Sequence, residues 1–183
     1  MKHFQLFKKI NPLKRYFLFT DGSTRKDASP PVIGLGAELR DNNGELIFTY
    51  SEEILIENLP SNISPNSSEQ LALIKAFNIC INENVKILVV NTDSSGLSTK
   101  LTSFLEEKFL KSNDYHKLLI NTTEINKEIF NLADKFEEIF IEYIPREFNK
   151  YADFYSRSAG NLVENYALIH YSNANPIKAQ QYS

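Results

Sequence analysis

Four carboxylates of this chain stand where a carboxylate is costly. Asp21 follows "YFLFT", a run apolar at successive positions, and Asp93 follows "ILVVNT". Glu69 shares a helical face with Leu73, Ala76 and Cys80, at the i+4, i+7 and i+11 positions, so it points with the apolar stripe rather than away from it. Asp153 lies in the first turns of a short helical pattern, "NKYADFYSR". Taken singly, each has an ordinary reading. Asp21-Gly22 is a good turn dipeptide, and Asp153 is an acid at a helix start, where the dipole favours negative charge. Taken together they are a different object. Like charges within about 4–6 Å raise one another's pKa, and cations are needed to neutralise them. Oxygen donors select hard ions, Mg²⁺ or Mn²⁺, and no Cys/His set competes for softer metals. Two such ions about 3.5–4 Å apart can activate a water, orient a phosphate and stabilise a leaving oxygen. That chemistry is phosphodiester hydrolysis without a protein nucleophile.

The elements that must position these groups follow from periodicity. Residues 16–20 read as a central strand, apolar on both faces. Residues 32–39 and 45–51 are two further strands joined by "RDNNGE", an Asn-Gly hairpin signal. A loop rich in Pro, Ser and Asn leads into a helix that runs to about Ile81, with Ser64 or Ser67 as cap and Pro65 in the first turn. Residues 85–93 form another strand. Residues 94–110 and 122–136 are helical, separated by the polar "KSNDYHK". "EEIFIEYIP" is a fifth strand, and a short last helix ends near Gly160, a suitable C-cap. The order is β-β-β-α-β-α-α-β-α, a mixed sheet covered by helices, α/β or α+β in class. Adjacent strands ending in Asp21 and Asp93 would bring two carboxylates together beyond the strand ends, where such sheets bind ligands.

Composition bounds the rest. The 183 residues suit one domain with extra segments, and a net charge of -3 argues against coating nucleic acid by bulk electrostatics while permitting a local basic surface. The single Cys80 cannot make an internal disulfide, so a reducing, cytoplasmic setting is expected. No apolar run approaches the roughly 20 residues that span a bilayer, and no membrane association is expected. Residues 1–15 carry Lys2, Lys8, Lys9, Lys14 and Arg15 with Phe4, Leu6, Phe7 and Ile10 interleaved, and lack the continuous apolar stretch of a secretory signal. They read as a solvated basic arm whose apolar residues dock on the domain, or alternatively as an auxiliary nucleic-acid contact. Residues 161–183 are a polar C-terminal extension with scattered tyrosines.

The motifs "FTDGS", "SSEQLAL", "NTDSSGL" and "PREFNKYADFYSRSA", in this order over residues 16–160, resemble the type 1 ribonuclease H family. The last is close to the family's plant- and archaeal-like branch. The resemblance implies a ribonuclease H-like fold whose five-stranded mixed sheet has three antiparallel strands and then parallel ones, flanked by helices. It implies an Asp-Glu-Asp-Asp tetrad at Asp21, Glu69, Asp93 and Asp153. These would bind two Mg²⁺ ions, with Mn²⁺ as substitute, and cut the RNA strand of an RNA/DNA hybrid to leave 5′-phosphate and 3′-hydroxyl ends. Asp21 would bridge both ions, Glu69 and Asp93 complete one site, and Asp153 the other. Glu69 also becomes a candidate partner for a ribose 2′-hydroxyl. Gly22, Ser23, Thr24, Asn66, Arg146 and Asn149 are the implied substrate contacts.

The chain departs from the family in three places. The loop before the last helix is "IPREFN", without the mobile histidine of many bacterial members, and Arg146 is the residue placed for a related role. "SPNSS" replaces a Thr-Asn-Asn-type run, so Asn66 matches one position and Pro65 removes another. Lys100, Lys108 and Lys111 are offset by Glu106 and Glu107, a weak basic handle for the hybrid. Two alternatives stay open. One is another nuclease of the superfamily, an exonuclease or resolvase, although Gly22-Ser23 replaces the exonucleases' Asp-x-Glu opening. The other is a non-catalytic nucleic-acid-binding or protein-interaction module, although no tetrad carboxylate is lost.

Overall fold

Strand β2 (Arg15–Arg25) is the axis of the fold, because the sheet changes direction across it. On one side it pairs antiparallel with β3 (Val32–Arg40), which pairs antiparallel with β4 (Leu46–Leu55). On the other it pairs parallel with β5 (Ile87–Thr92), followed by parallel β6 (Glu138–Tyr143). A further strand, β1 (Lys2–Leu6), closes the antiparallel side, and the order across the sheet is β1-β4-β3-β2-β5-β6. Among the described residues the α-helices are α1 (Ser68–Asn82), α2 (Ser95–Leu110), α3 (Glu124–Ala133) and α4 (Lys150–Arg157). This computed structural model describes residues 2–110 and 122–158. The expected Gly160 cap, the extension at 161–183 and the "KSNDYHK" segment lie outside the described residues.

The mixed sheet and its flanking helices are as expected, but the sheet has six strands rather than five. The extra one comes from the basic arm. "KHFQL" pairs antiparallel with β4 from Lys2↔Glu52 to Leu6↔Phe48, and the Phe4 ring sits 5.7 Å from that of Phe48. Without it β4 would present an open hydrogen-bonding edge next to buried Phe48 and Tyr50. The hairpin signal holds: Gly44 takes φ 79°, a left-handed conformation suited to glycine, and Asp41 Oδ1 accepts from the amides of Asn43 and Glu45 at 2.9 Å.

Strand β2 also runs further than its apolar pattern. It passes through Asp21 and Gly22, which pair with Gly36 and Leu35 of β3. Asp21 therefore sits inside a strand, not in a turn. The unbroken partner strand overrides the local preference of Asp-Gly.

Alternation along β2 serves both faces. Tyr16 and Leu18 join the larger core with Leu73, Phe77 and Cys80 of α1, Phe104 of α2 and Phe130 of α3. The Phe104 and Phe130 rings stack at 4.2 Å. Phe17 and Phe19 face the smaller cluster, with Val89, Ile144 and Ala152 of α4. Cys80 is fully buried, and burial pushes its thiol up, so it packs as a small apolar group. Among the described residues no helix is long and apolar enough to cross a membrane.

Candidate metal centre

The parallel pair β2–β5 sets the first distance. Its last pair is Phe19 opposite Asn91, two residues before Asp21 and Asp93, whose carboxylate oxygens come close together past the end of the pairing. Strand β5 stops at Thr92, so Asp93 lies just beyond its end while β2 continues. The turn after Asp93 is held by Thr92 Oγ1, which accepts from the Ser94 amide at 3.1 Å.

Glu69 arrives from the other side, in the first turn of α1. Ser64 accepts from the Asn66 amide and Pro65 opens a 3-10 turn leading into the helix. Thr24 Oγ1 donates to the Pro65 carbonyl at 2.9 Å, pinning that turn to β2. A Cβ on Gly22 would lie 2.3 Å from the Ser68 carbonyl carbon and 2.4 Å from the Glu69 nitrogen. The first turn of α1 thus rests directly on Gly22, and only glycine permits it. As a result, carboxylate oxygens of Asp21, Glu69 and Asp93 all lie within 4.8 Å of one another.

Asp153 comes from α4 on the opposite face. That helix is seated on β3 at Gly36, where a Cβ would lie 2.3 Å from the Ala152 carbonyl oxygen. Ser23 Oγ donates to the Ser156 carbonyl at 2.9 Å, and Asn149 Nδ2 to that of Thr20 at 2.9 Å. Ser156 Oγ donates to the Asp153 carbonyl at 2.8 Å and stands 3.3 Å from Asp21 Oδ2. Asp153 is near enough to raise the Asp21 carboxyl, yet it lies outside the three-residue cluster. Its Oδ1 accepts from Arg157 Nε at 2.8 Å.

The cluster is electrostatically frustrated without cations. Burial, with the neighbouring carboxylates adding to it, pushes Glu69 up to about 9. Burial also raises Asp21 to about 6, with the hydrogen bond from Glu69 opposing it. The two carboxyls therefore hold their protons more tightly together than either would alone. Burial raises Asp93 as well, and Arg146 and Asn149 pull it back. Glu69 Oε2 is buried with no hydrogen-bond partner. An orphaned carboxylate oxygen in an all-oxygen donor set is what a hard divalent cation would complete.

Residues 19–159 match the family described as reverse transcriptase-like. The chain belongs to that family. No curated protein matches the sequence. Among solved structures, this reverse transcriptase-like chain is similar to the ribonuclease H1 of the halophilic archaeon Halobacterium salinarum, at TM-score 0.60 and 21% identity over 79% of this chain and 96% of that one. It is similar to the N-terminal ribonuclease H domain of a Mycobacterium tuberculosis protein, solved as a fusion with maltose-binding protein, at TM-score 0.57 and 18% identity over 87% and 97%. It is also similar to LC11-RNase H1, from compost, in complex with an RNA/DNA hybrid, at TM-score 0.51 and 21% identity over 79% and 95%. The expected membership of the ribonuclease H family is borne out.

The remaining implied contacts of this reverse transcriptase-like domain fall into two groups. Asn66 is exposed on the turn before α1, and Arg146 is 72% exposed with Nε 3.9 Å from Asp93 Oδ2. Both face solvent beside the site. Gly22, Ser23, Thr24 and Asn149 are occupied within the protein. Gly22 lies directly under the Ser68–Glu69 backbone, and the hydroxyls of Ser23 and Thr24 hold α4 and the turn before α1. Asn149 is 1% exposed and clamps α4 to β2. Ser156 and Arg157 escaped the sequence reading. Their only signal was their position three and four residues after Asp153, one helical turn along the same face.

Proposed function

We propose that this chain is a metal-dependent endoribonuclease that hydrolyses the RNA strand of RNA/DNA hybrids, leaving 5′-phosphate and 3′-hydroxyl ends. The observation that supports this best is the convergence of Asp21, Glu69 and Asp93, from two strands and a helix, to within 4.8 Å. The orphaned Glu69 oxygen fits the same reading. Asp21, Glu69 and Asp93 would hold one Mg²⁺ or Mn²⁺, and Asp21 with Asp153 a second. Bound there, such ions supply an activated water and charge stabilisation at the leaving oxygen.

The chain itself does the positioning. Asp21 is 2% exposed in the middle of the sheet, so its carboxylate cannot drift. Glu69 is carried on the α1 turn that Gly22 admits, where it can also meet a ribose 2′-hydroxyl. Arg146 stands in solvent beside Asp93 and would pair with a phosphate of the bound strand. The hybrid in the LC11-RNase H1 complex supports the same substrate class here.

The test is cleavage of an end-labelled RNA/DNA hybrid with Mg²⁺ or Mn²⁺, beside RNA/RNA, DNA/DNA and single-stranded controls. Metal-dependent cutting confined to the RNA of the hybrid is the expected result. Binding of the hybrid without cutting in either metal would replace the enzyme with a binding module.

A further inference from the structure

Resting on the metal-dependent reading above, we propose that Arg157 is an internal cation that occupies the Asp153 carboxylate and competes with the second metal ion for it. The three-carboxylate cluster excludes Asp153, although Asp153 belongs to the same acidic neighbourhood as Asp21. What Asp153 holds instead is a guanidinium, with Arg157 Nε 2.8 Å from its Oδ1.

Both residues lie on α4, four positions apart, and that helix is fixed to the sheet by Ser23, Asn149 and Ser51, each bonded across to it or to its start. The pair therefore does not separate by movement of the helix. It separates only by rotation of the Arg157 side chain, which at 56% exposure has solvent to move into. The Arg157 charge also acts on Asp21, so it lowers the negative potential that a second ion would meet.

An exposed ion pair at this spacing is weak. A divalent ion displaces it readily, and the competition shifts affinity severalfold rather than abolishing binding. Arg157 thereby makes the two ion sites unequal. The Asp21–Glu69–Asp93 site fills first, and the site that includes Asp153 fills at higher metal concentration.

The test is Mn²⁺ titration of the full chain without substrate, by calorimetry and by electron paramagnetic resonance of free Mn²⁺. The variants are Arg157→Gln, Arg157→Lys and Asp153→Asn, each with a thermal melt to verify folding. In Arg157→Gln the weaker binding event should tighten by about threefold to tenfold, with the tighter event moving less than about twofold. Arg157→Lys keeps the charge and should stay near wild type. Asp153→Asn should remove the weaker event. A weaker event that is unchanged or loosened in Arg157→Gln overturns the proposal, as does its survival in Asp153→Asn. Absence of any Mn²⁺ binding in wild type would overturn the metal-dependent reading itself, and the inference with it.

Discussion

The side-chain amide of Asn149 donates to the Thr20 carbonyl at 2.9 Å, joining the start of α4 to the residue directly before Asp21. Through this bond the fourth carboxylate is referenced to the first, across 129 positions of sequence. Asn149→Ala should leave a buried carbonyl unpaired and cost about 1–3 kcal/mol in urea unfolding. Cleavage at saturating metal should also fall, by about 10–100-fold, as expected for a group that orients metal ligands.

Metal-free stability should fall as pH rises. Glu69 titrates near 9 in the folded chain against an ordinary 4.5, and Asp21 near 6 against 3.8, burial being the main cause of both. Both hold their protons more tightly folded than unfolded. The stability they contribute is present below the ordinary carboxylate range and is lost as pH passes the raised values. Melting in chelator should therefore decline from about pH 5 to about pH 9. Mg²⁺ should reverse most of the decline, and Glu69→Gln should flatten it. A chelated protein that melts equally well throughout this range would contradict the frustrated-cluster account.

Two glycines should respond in opposite ways to a methyl group. Gly22→Ala drives a Cβ into backbone atoms of Ser68 and Glu69 at 2.3–2.5 Å. It should destabilise by about 1–3 kcal/mol or more and impair cleavage beyond what stability explains, because Glu69 is displaced. Gly96→Ala meets nothing within 4 Å in α2. It should be neutral or stabilise by up to about 1 kcal/mol. Chemical denaturation of both variants checks the contrast.

Residues 2–6 should behave as part of the sheet rather than as an arm. Phe4→Ala removes a ring that is 42% exposed and packed on Phe48, and should cost about 1 kcal/mol. Deleting residues 1–7 should lower the melting temperature by more than that single change does. If hybrid binding by the truncated chain kept the wild-type salt slope, Lys2 would be assigned to the fold and not to phosphate contacts.

Much of the site was legible because it lies at the ends of strongly patterned elements. The apolar runs before Asp21 and Asp93 identified two buried strands, and the helical spacing after Glu69 turned that carboxylate inward. What escaped was non-local. "KHFQL" is too short and too lysine-flanked for its alternation to stand out, and it becomes a strand only because β4 offers an edge. The extension of β2 through Asp21 depends on β3, whose pairing no dipeptide preference reveals. Ser156 meets Asp21 across 135 positions, and only the completed fold brings them together.

The most direct measurement is the rate of hybrid cleavage by wild type and Asp21→Asn over one Mg²⁺ titration, with unfolding of both followed in chelator. Asp21 touches Glu69 and neighbours Asp93 and Asp153, so its loss should reduce cleavage by more than about 100-fold at every metal concentration. The same variant should be as stable as wild type without metal, or more so, because one repelling charge is gone. A folded Asp21→Asn protein that cuts the hybrid at the wild-type rate would contradict the account.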